Sequence, residues 1–554
     1  MKYMMWVRSG AILMLIVGSI LLGLSQVQAP AVEGVDAPLD AFSAERAMTK
    51  VERIAQEPHP IMTDEHDQVR DYLIAELENL GLTPEVQSGM VNSKYYSTKG
   101  NVENIMARIP GADNSKAVMI AAHYDSVITS PGAADDASGI AAMLETVRAI
   151  RESGPLQNDL ILLMTDGEEM GLLGAQEFVQ EHPWAKDVGV VLNFEARGNQ
   201  GPSFMFETSD GNGWLIKEFI NATPYPLANS LLSDAYKLLP NDTDFTIFRD
   251  GGMAGLNFAF GMGLDAYHTV LDTPENLDRG SLQHHGEYML SLTRHFGNLN
   301  LTNIVEEDYI YFNAIRNWMV HYPQSWAIGL AIIGILAYIT TVWHGIRRNQ
   351  LGVKGMIGGF LVSLLSIAVV GIIISLVWWG VQSVVSQKQY EHIVMDSSVS
   401  LPYLIGLFLV MALVIYFLNR WVLRRVQAFN LWAGMLFLWL LFAMITSVVL
   451  PGGSYLFVWP LLFSIIGINL SFYLNGGHWR WVAALFAVPA FLLFAPICYI
   501  LLMMLTLNAA NVLFVLITFA FTIIFPLLSS DDRRMSNSSR FKNAYDYEKS
   551  SVGL

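Results

Sequence analysis

The sequence predicts an α/β domain with a mixed, largely parallel sheet and flanking helices, followed by an all-α multi-span transmembrane domain. Three observations carry this. Hydrophobic residues make up 53 % of the 554 residues, and the excess is concentrated after residue 325. There it forms apolar stretches near the length that crosses roughly 30 Å of hydrocarbon. Residues 30–325 instead alternate short apolar runs with helix-period segments. Charge divides at the same place: residues 30–325 carry 18 Lys+Arg against 43 Asp+Glu, in a chain whose net charge is −16.

Taken in order, Lys2 and Arg8 precede the run "SGAILMLIVGSILLGL", so residues 1–29 are expected to be a signal anchor or signal peptide. "SAERAMTKVERIAQE" and "EHDQVRDYLIAELENLGL" have helical spacing, the second ending at a glycine. The runs "NIMARIP", "AVMIAAHYD", "LILLMTD", "GVVLNFEA" and "AGLNFAF" read as strands, with helical "SGIAAMLETVRAI" and "GAQEFVQEH" between several of them. Together these predict a domain over 30–305. Its polar residues cluster just past strand ends, where open α/β sheets place their sites. Residues 306–325 are expected to be a juxtamembrane linker.

About seven transmembrane helices are expected within 326–529, at 326–343, 355–383, 402–418, 429–450, 455–474, 481–504 and 510–529. Residues 530–554 would form a cytoplasmic tail. With the N-terminus inside, the loops on that side carry Arg347, Arg348, Lys354, Arg420, Arg424, Arg425 and Arg480, whereas the outside membrane loops carry only Lys388. Basic residues flanking spans prefer the cytoplasmic side, so residues 30–325 are expected outside the cytoplasm, in the periplasm, cell exterior or an organelle lumen.

Several function classes fall away. An acidic domain without a basic stripe does not suit nucleic acid. The single cysteine, Cys498, allows no intrachain disulfide. The seven expected spans hold no Asp, Glu, Lys, Arg or His, which argues against ion-coupled transport.

What remains is a constellation at strand ends. "AAHYDS" supplies His123 and Asp125, and "PGAADDASG" supplies Asp135 and Asp136 just before a helix. "TDGEEMG" supplies Glu168 and Glu169, "NFEARG" supplies Glu195, and "DAYHTVLDTPENL" adds His268 and Asp272. Singly, each has a structural explanation. Asp135 and Asp136 cap a helix, a carboxylate pair is solvated, Glu195 pairs with Arg197. Jointly, imidazoles and carboxylates at successive strand ends are the donor set for zinc and related divalent metals.

This ordered pattern resembles the co-catalytic dizinc aminopeptidases, whose fold glutamate carboxypeptidases and glutaminyl cyclases share. The likeness covers roughly residues 40–300. The membrane region, with "FSAERA", "EPHP" and "VRDYL", resembles the branch containing endoplasmic reticulum metallopeptidase and vacuolar membrane protease. The resemblance implies two zinc ions bridged by Asp135. His123 and Glu195 would complete one shell, Glu169 and His268 the other. Glu168 would be the general base, and Asp125 would orient His123 by accepting its second ring N–H. One departure is Glu195, where many members have Asp. The loop "LLPNDTDFTIFRDGGMAGLNFAF" is expected to line the substrate pocket through Asp244 and Phe245, and Arg197 is a candidate for binding substrate. The expected partners are a peptide and the lipid bilayer, and the expected activity is that of an exopeptidase, most simply an aminopeptidase. Alternatives are a glutaminyl-cyclase-like acyltransferase and an inactive binding ectodomain.

Overall fold

A computed structural model of the chain describes residues 2–421, 425–474 and 476–528. The tail expected over 530–554 lies outside the described residues. The chain divides into two compact units. One is Ser25–Gln324. The other joins helix α1 (Lys2–Leu24) to the described residues from Ser325 onward.

The first unit is built on a seven-stranded sheet. Its strands are β1 (Glu85–Asn92), β2 (Lys99–Ile109), β3 (Ala117–His123), β4 (Leu160–Thr165), β5 (Val188–Ala196), β6 (Phe204–Thr208) and β7 (Gly255–Phe260). They lie in the order β1-β2-β4-β3-β5-β7-β6. The central β4, β3, β5 and β7 are parallel, while β1, β2 and β6 run antiparallel to their neighbours. Every residue of β3 and β4 is buried, which explains why both read as unbroken apolar runs rather than alternating ones.

Helices cover both faces. On one lie α2 (Ala44–Ile54), α3 (Asp64–Asn79), α4 (Ala137–Ser153) and, farther along the chain, α9 (Arg279–Phe296). On the other lie α5 (Leu173–Glu181) and α8 (Asp244–Asp250), whose Phe178, Phe245 and Phe248 pack under the sheet. The short α6 (Gly213–Ala222) and α7 (Ser230–Tyr236) complete the set. Because β3 leads into α4 on one face and β4 leads into α5 on the other, the chain diverges between the carboxyl ends of these adjacent strands. That divergence opens a crevice of the kind in which α/β sheets hold ligands.

Two edge strands, β1 and β6, were not expected, and the stretch 306–325 is not a bare linker. It is a hairpin, β8 (Tyr309–Ile315) and β9 (Trp318–Pro323), turning at Arg316 with φ 49°. Contacts from distant chain fix it: Tyr309 N–H donates to Asn212 Oδ1 at 2.9 Å, and Asn313 Nδ2 to the Pro226 carbonyl at 2.7 Å.

The second unit is helical: α10 (Trp326–Arg347), α11 (Val353–Val384), α12 (Gln387–Met395), α13 (Ser397–Trp421), α14 (Ala428–Val449), α15 (Tyr455–Ser471), α16 (Trp479–Leu505) and α17 (Ala510–Thr522). By length and composition five segments are able to cross a membrane: α10, α11, α13, α14 and the run Trp479–Thr522. That run covers two of the seven expected stretches. It is broken by a 3₁₀ turn whose Thr506 has φ 54°, so α17 is only 13 residues long. The stretch expected over 455–474 is the 17-residue α15, and the apolar part of α1 is Ser9–Leu24; both are apolar helices shorter than those five.

Small residues let these helices approach, as helices in lipid require. A Cβ on Gly434 of α14 would fall 2.3 Å from the Met356 carbonyl oxygen of α11. One on Gly23 of α1 would fall 2.9 Å from the Leu492 carbonyl oxygen of α16. Two buried indoles find internal partners, Trp432 Nε1 donating to Ser464 Oγ at 2.8 Å and Trp439 Nε1 to Thr522 Oγ1 at 2.9 Å.

Candidate metal centre

The site lies at the carboxyl ends of β3, β4 and β5. His123 is the last residue of β3 and pairs in register with Thr165 at the end of β4. Glu168 and Glu169 follow β4 directly, and Glu195 is the penultimate residue of β5. Asp135 sits just before α4. Its loop is cradled by Asp272, whose Oδ1 accepts from Ala134 N–H at 2.7 Å and Oδ2 from Asp135 N–H at 3.3 Å. Asp136 caps α4 through Gly139 N–H, as the structural reading of that pair holds. His268 stands in the loop after β7 with φ 59°, and its carbonyl accepts from Thr129 Oγ1 at 2.9 Å.

Asp135 lies between the two histidines. Its Oδ1 is 3.1 Å from His123 Nε2, and its Oδ2 is 3.2 Å from His268 Nε2. Glu195 Oε2 stands 3.6 Å from His123 Nε2, and Glu169 Oε1 stands 3.1 Å from His268 Nε2. Two trios result, His123–Asp135–Glu195 and Asp135–Glu169–His268. Within each, one donor atom per residue lies within 4.8 Å of the others, and Asp135 belongs to both. A third trio, His123–Glu168–Glu169, meets the same distance. Glu169 Oε1 and His268 Nε2 are buried and face each other, yet neither makes a hydrogen bond. Buried polar atoms left this way call for an ion or a partner, and the donor set fits zinc.

The electrostatics describe a deficit of positive charge. Burial, then the Glu195 charge, holds the Glu168 carboxyl well above the usual range. Burial likewise pushes Glu195 up to about 8. Burial opposes protonation of His268, but Asp135 and Glu169 outweigh it and raise the imidazole to about 10. Burial also raises Asp135, yet the two histidines win and its carboxyl falls below the ordinary value. Cations in the two trios would relieve the same repulsion.

Asp125 is placed differently from the expectation. The His123 Nδ1 nitrogen lies 3.0 Å from the Asp125 backbone carbonyl and 3.6 Å from the nearer carboxylate oxygen, beyond a hydrogen bond. The carboxylate instead accepts from the backbone N–H of Glu168 at 3.1 Å and of Glu169 at 3.3 Å. It holds the loop that carries both glutamates.

The expected substrate residues divide. Asp244 is buried beside the cluster: its Oδ2 accepts from Thr165 Oγ1, its Oδ1 has no hydrogen bond, and burial pushes the carboxyl up to about 7. Phe245 is a correction. It is fully buried in the core beneath the sheet with Phe178 and Phe248, because its position on α8 faces inward, and it cannot line a pocket. Arg197 is half-buried and makes no ion pair or side-chain hydrogen bond among the described residues, so it does not neutralise Glu195.

Sequence reasoning missed His66. Its Nε2 lies 2.8 Å from Asp166 Oδ1, and its ring stacks on Tyr124 beneath the site. In "TDEHDQV" it reads as one more polar residue on a helix start, and only its pairing with residue 166 reveals it.

Residues 104–293 match the family model described as Peptidase family M28. The chain is 28 % identical over 261 residues to Endoplasmic reticulum metallopeptidase 1 of Homo sapiens, covering 45 % of this chain and 28 % of that protein. It is 32 % identical over 275 residues to Vacuolar membrane protease of Candida albicans (strain SC5314), covering 48 % and 31 %. It thus spans about a third of the length of these relatives. Among solved structures, a Zn-dependent exopeptidase from Parabacteroides distasonis is 21 % identical with a TM-score of 0.37, covering 46 % of this chain and 99 % of that one.

Proposed function

We propose that this chain, which carries a peptidase family M28 domain, is a membrane-bound zinc exopeptidase, of aminopeptidase type, holding two metal ions. The observation that carries this is Asp135, with one carboxylate oxygen directed to each of two histidines and a second acid completing each trio. His123, Asp135 and Glu195 would hold one ion, and Asp135, Glu169 and His268 the other. Zinc there would polarise the scissile carbonyl and acidify the attacking water.

The chain's own residues do the rest. Glu168 takes the proton of the attacking water as the C–O bond forms, and gives it to the leaving amine as the C–N bond breaks. Asp125 keeps the Glu168 backbone in place. The excess of acid over residues 30–325 as a whole favours approach of the ammonium of a free amino terminus, which supports the aminopeptidase reading. The basic loops on the other side of the expected spans support an extracytoplasmic peptidase domain.

The test is metal analysis of full-length protein in detergent, followed by peptides with free or blocked ends. Two zinc ions per chain and release of single residues from free amino termini are expected. Release from carboxyl termini would overturn the aminopeptidase reading. Cyclisation of amino-terminal glutamine without hydrolysis would overturn the peptidase reading.

A further inference from the structure

Glu195 has three side-chain torsions, and a carboxylate at the end of so long an arm needs a second contact to fix its plane. The structure supplies one from inside the sheet. Asn193, two residues earlier on the same face of β5, directs Nδ2 at Glu195 Oε1 at 3.0 Å and at Asn257 Oδ1 at 3.0 Å. Asn257 stands opposite it in register on β7, and Glu207 stands opposite Asn257 on β6. Asn257 Nδ2 donates to Glu207 Oε2 at 3.0 Å and to Thr243 Oγ1 at 3.0 Å. Glu207 in turn pairs with Arg249. Thr243 caps α8 and Arg249 lies within it.

Asn193, Asn257 and Glu207 are fully buried, in strands that are otherwise apolar on this face. A polar row in such a place is held by the hydrogen bonds its members make to one another, and of the side-chain oxygens of Asn193, Asn257 and Glu207 only Asn193 Oδ1 lacks a partner. Its direction is also settled: turning either amide would set oxygen against oxygen. The row begins at Glu195 and ends on both sides of Asp244.

We propose that Asn193 and Asn257 are positioning residues that fix the carboxylate of Glu195 and the α8 segment bearing Asp244 through one shared set of hydrogen bonds. The proposal rests on the reading of Glu195 as a metal ligand. With Oε1 held by Asn193, Oε2 is the oxygen left facing His123. The row makes the metal centre and the neighbouring segment a single rigid piece.

Zinc affinity of full-length protein in detergent, measured by competition with a chromophoric chelator, tests this. Asn193→Ala is expected to weaken one of the two ions by about 10–100-fold and leave the other unchanged. Asn257→Ala should weaken the same ion by less. In a double-mutant cycle, Asn193→Ala combined with Glu195→Asp should be non-additive, because both act on one carboxylate. Unchanged affinity for both ions in Asn193→Ala, or additivity in the cycle, would overturn the proposal. If Asn193→Ala does not fold, Asn193→Ser takes its place under the same criteria. Retention of both ions by Glu195→Ala would instead overturn the ligand reading, so the two failures are distinct.

Discussion

The backbone N–H of Glu168 donates to Asp125 Oδ1 at 3.1 Å, so the loop after β3 helps its own loop to set the glutamate's position. Asp125→Asn keeps the shape and turns one acceptor into a donor. That donor must then face the N–H of Glu168 or of Glu169. We expect both zinc ions to stay bound while kcat falls by about 10–100-fold, as when an outer contact of a metal site is lost. Metal analysis alongside steady-state kinetics checks it, and loss of zinc would show that Asp125 acts on His123 instead.

Glu168→Gln should retain both ions and lose about 10²–10⁴-fold in turnover, the usual contribution of a positioned general base. Glu169→Gln should lose metal and regain part of its activity with added zinc. The reverse pattern of metal content would exchange the two roles.

The expected topology can be read by labelling, because the only native cysteine, Cys498, is buried. A cysteine at the exposed Asn114 should react with an impermeant maleimide on intact cells, once any outer membrane is opened. One at the exposed Arg347, the last residue of α10, should react only after lysis. Labelling in the opposite order would invert the topology.

Acid should destabilise the peptidase unit through α9. Burial lowers His284 to about 4 and His285 to about 3, from 6.5. Each ring has one nitrogen without a partner, so a charged ring would bury an N–H with no acceptor. The unfolded chain binds these protons at 6.5 and the folded chain does not. Their contribution is therefore full above pH 6.5 and is lost as pH falls toward 4. Each group steepens the fall by up to about 1.4 kcal/mol per pH unit. Unfolding of the full-length protein followed from pH 7.5 to 5 should show this slope, and His284→Gln with His285→Gln should flatten it. An unchanged slope in the double variant would refute the assignment.

Much of the fold was legible because the central strands are covered on both faces and read as continuous apolar runs, as in "LILLMT". The edge strand "EVQSGMVN" is largely exposed, so its sequence carries too few apolar residues to announce it. The hairpin at 309–323 is held by Asn212 and Pro226, far away in sequence, which no local pattern reports. The acids and histidines at the site were legible because strand ends expose them in short motifs. Asn193 and Asn257 look like polar slips within strands, and only their register across β5 and β7 gives them a purpose.

The packing of α1 on α16 has a consequence for synthesis. The two helices are separated by about 450 residues, so the first to leave the ribosome waits for its partner. At ordinary translation rates that wait is on the order of a minute. On the expected topology α1 resides in lipid alone throughout it, and a signal peptidase acting in that interval would remove a helix that packs on α16. The helix is suited to waiting: the hydroxyl of Ser19 donates to the Leu15 carbonyl of its own helix at 2.6 Å, so it needs no neighbour to satisfy it. Gly23 leaves the surface bare where Leu492 will later settle.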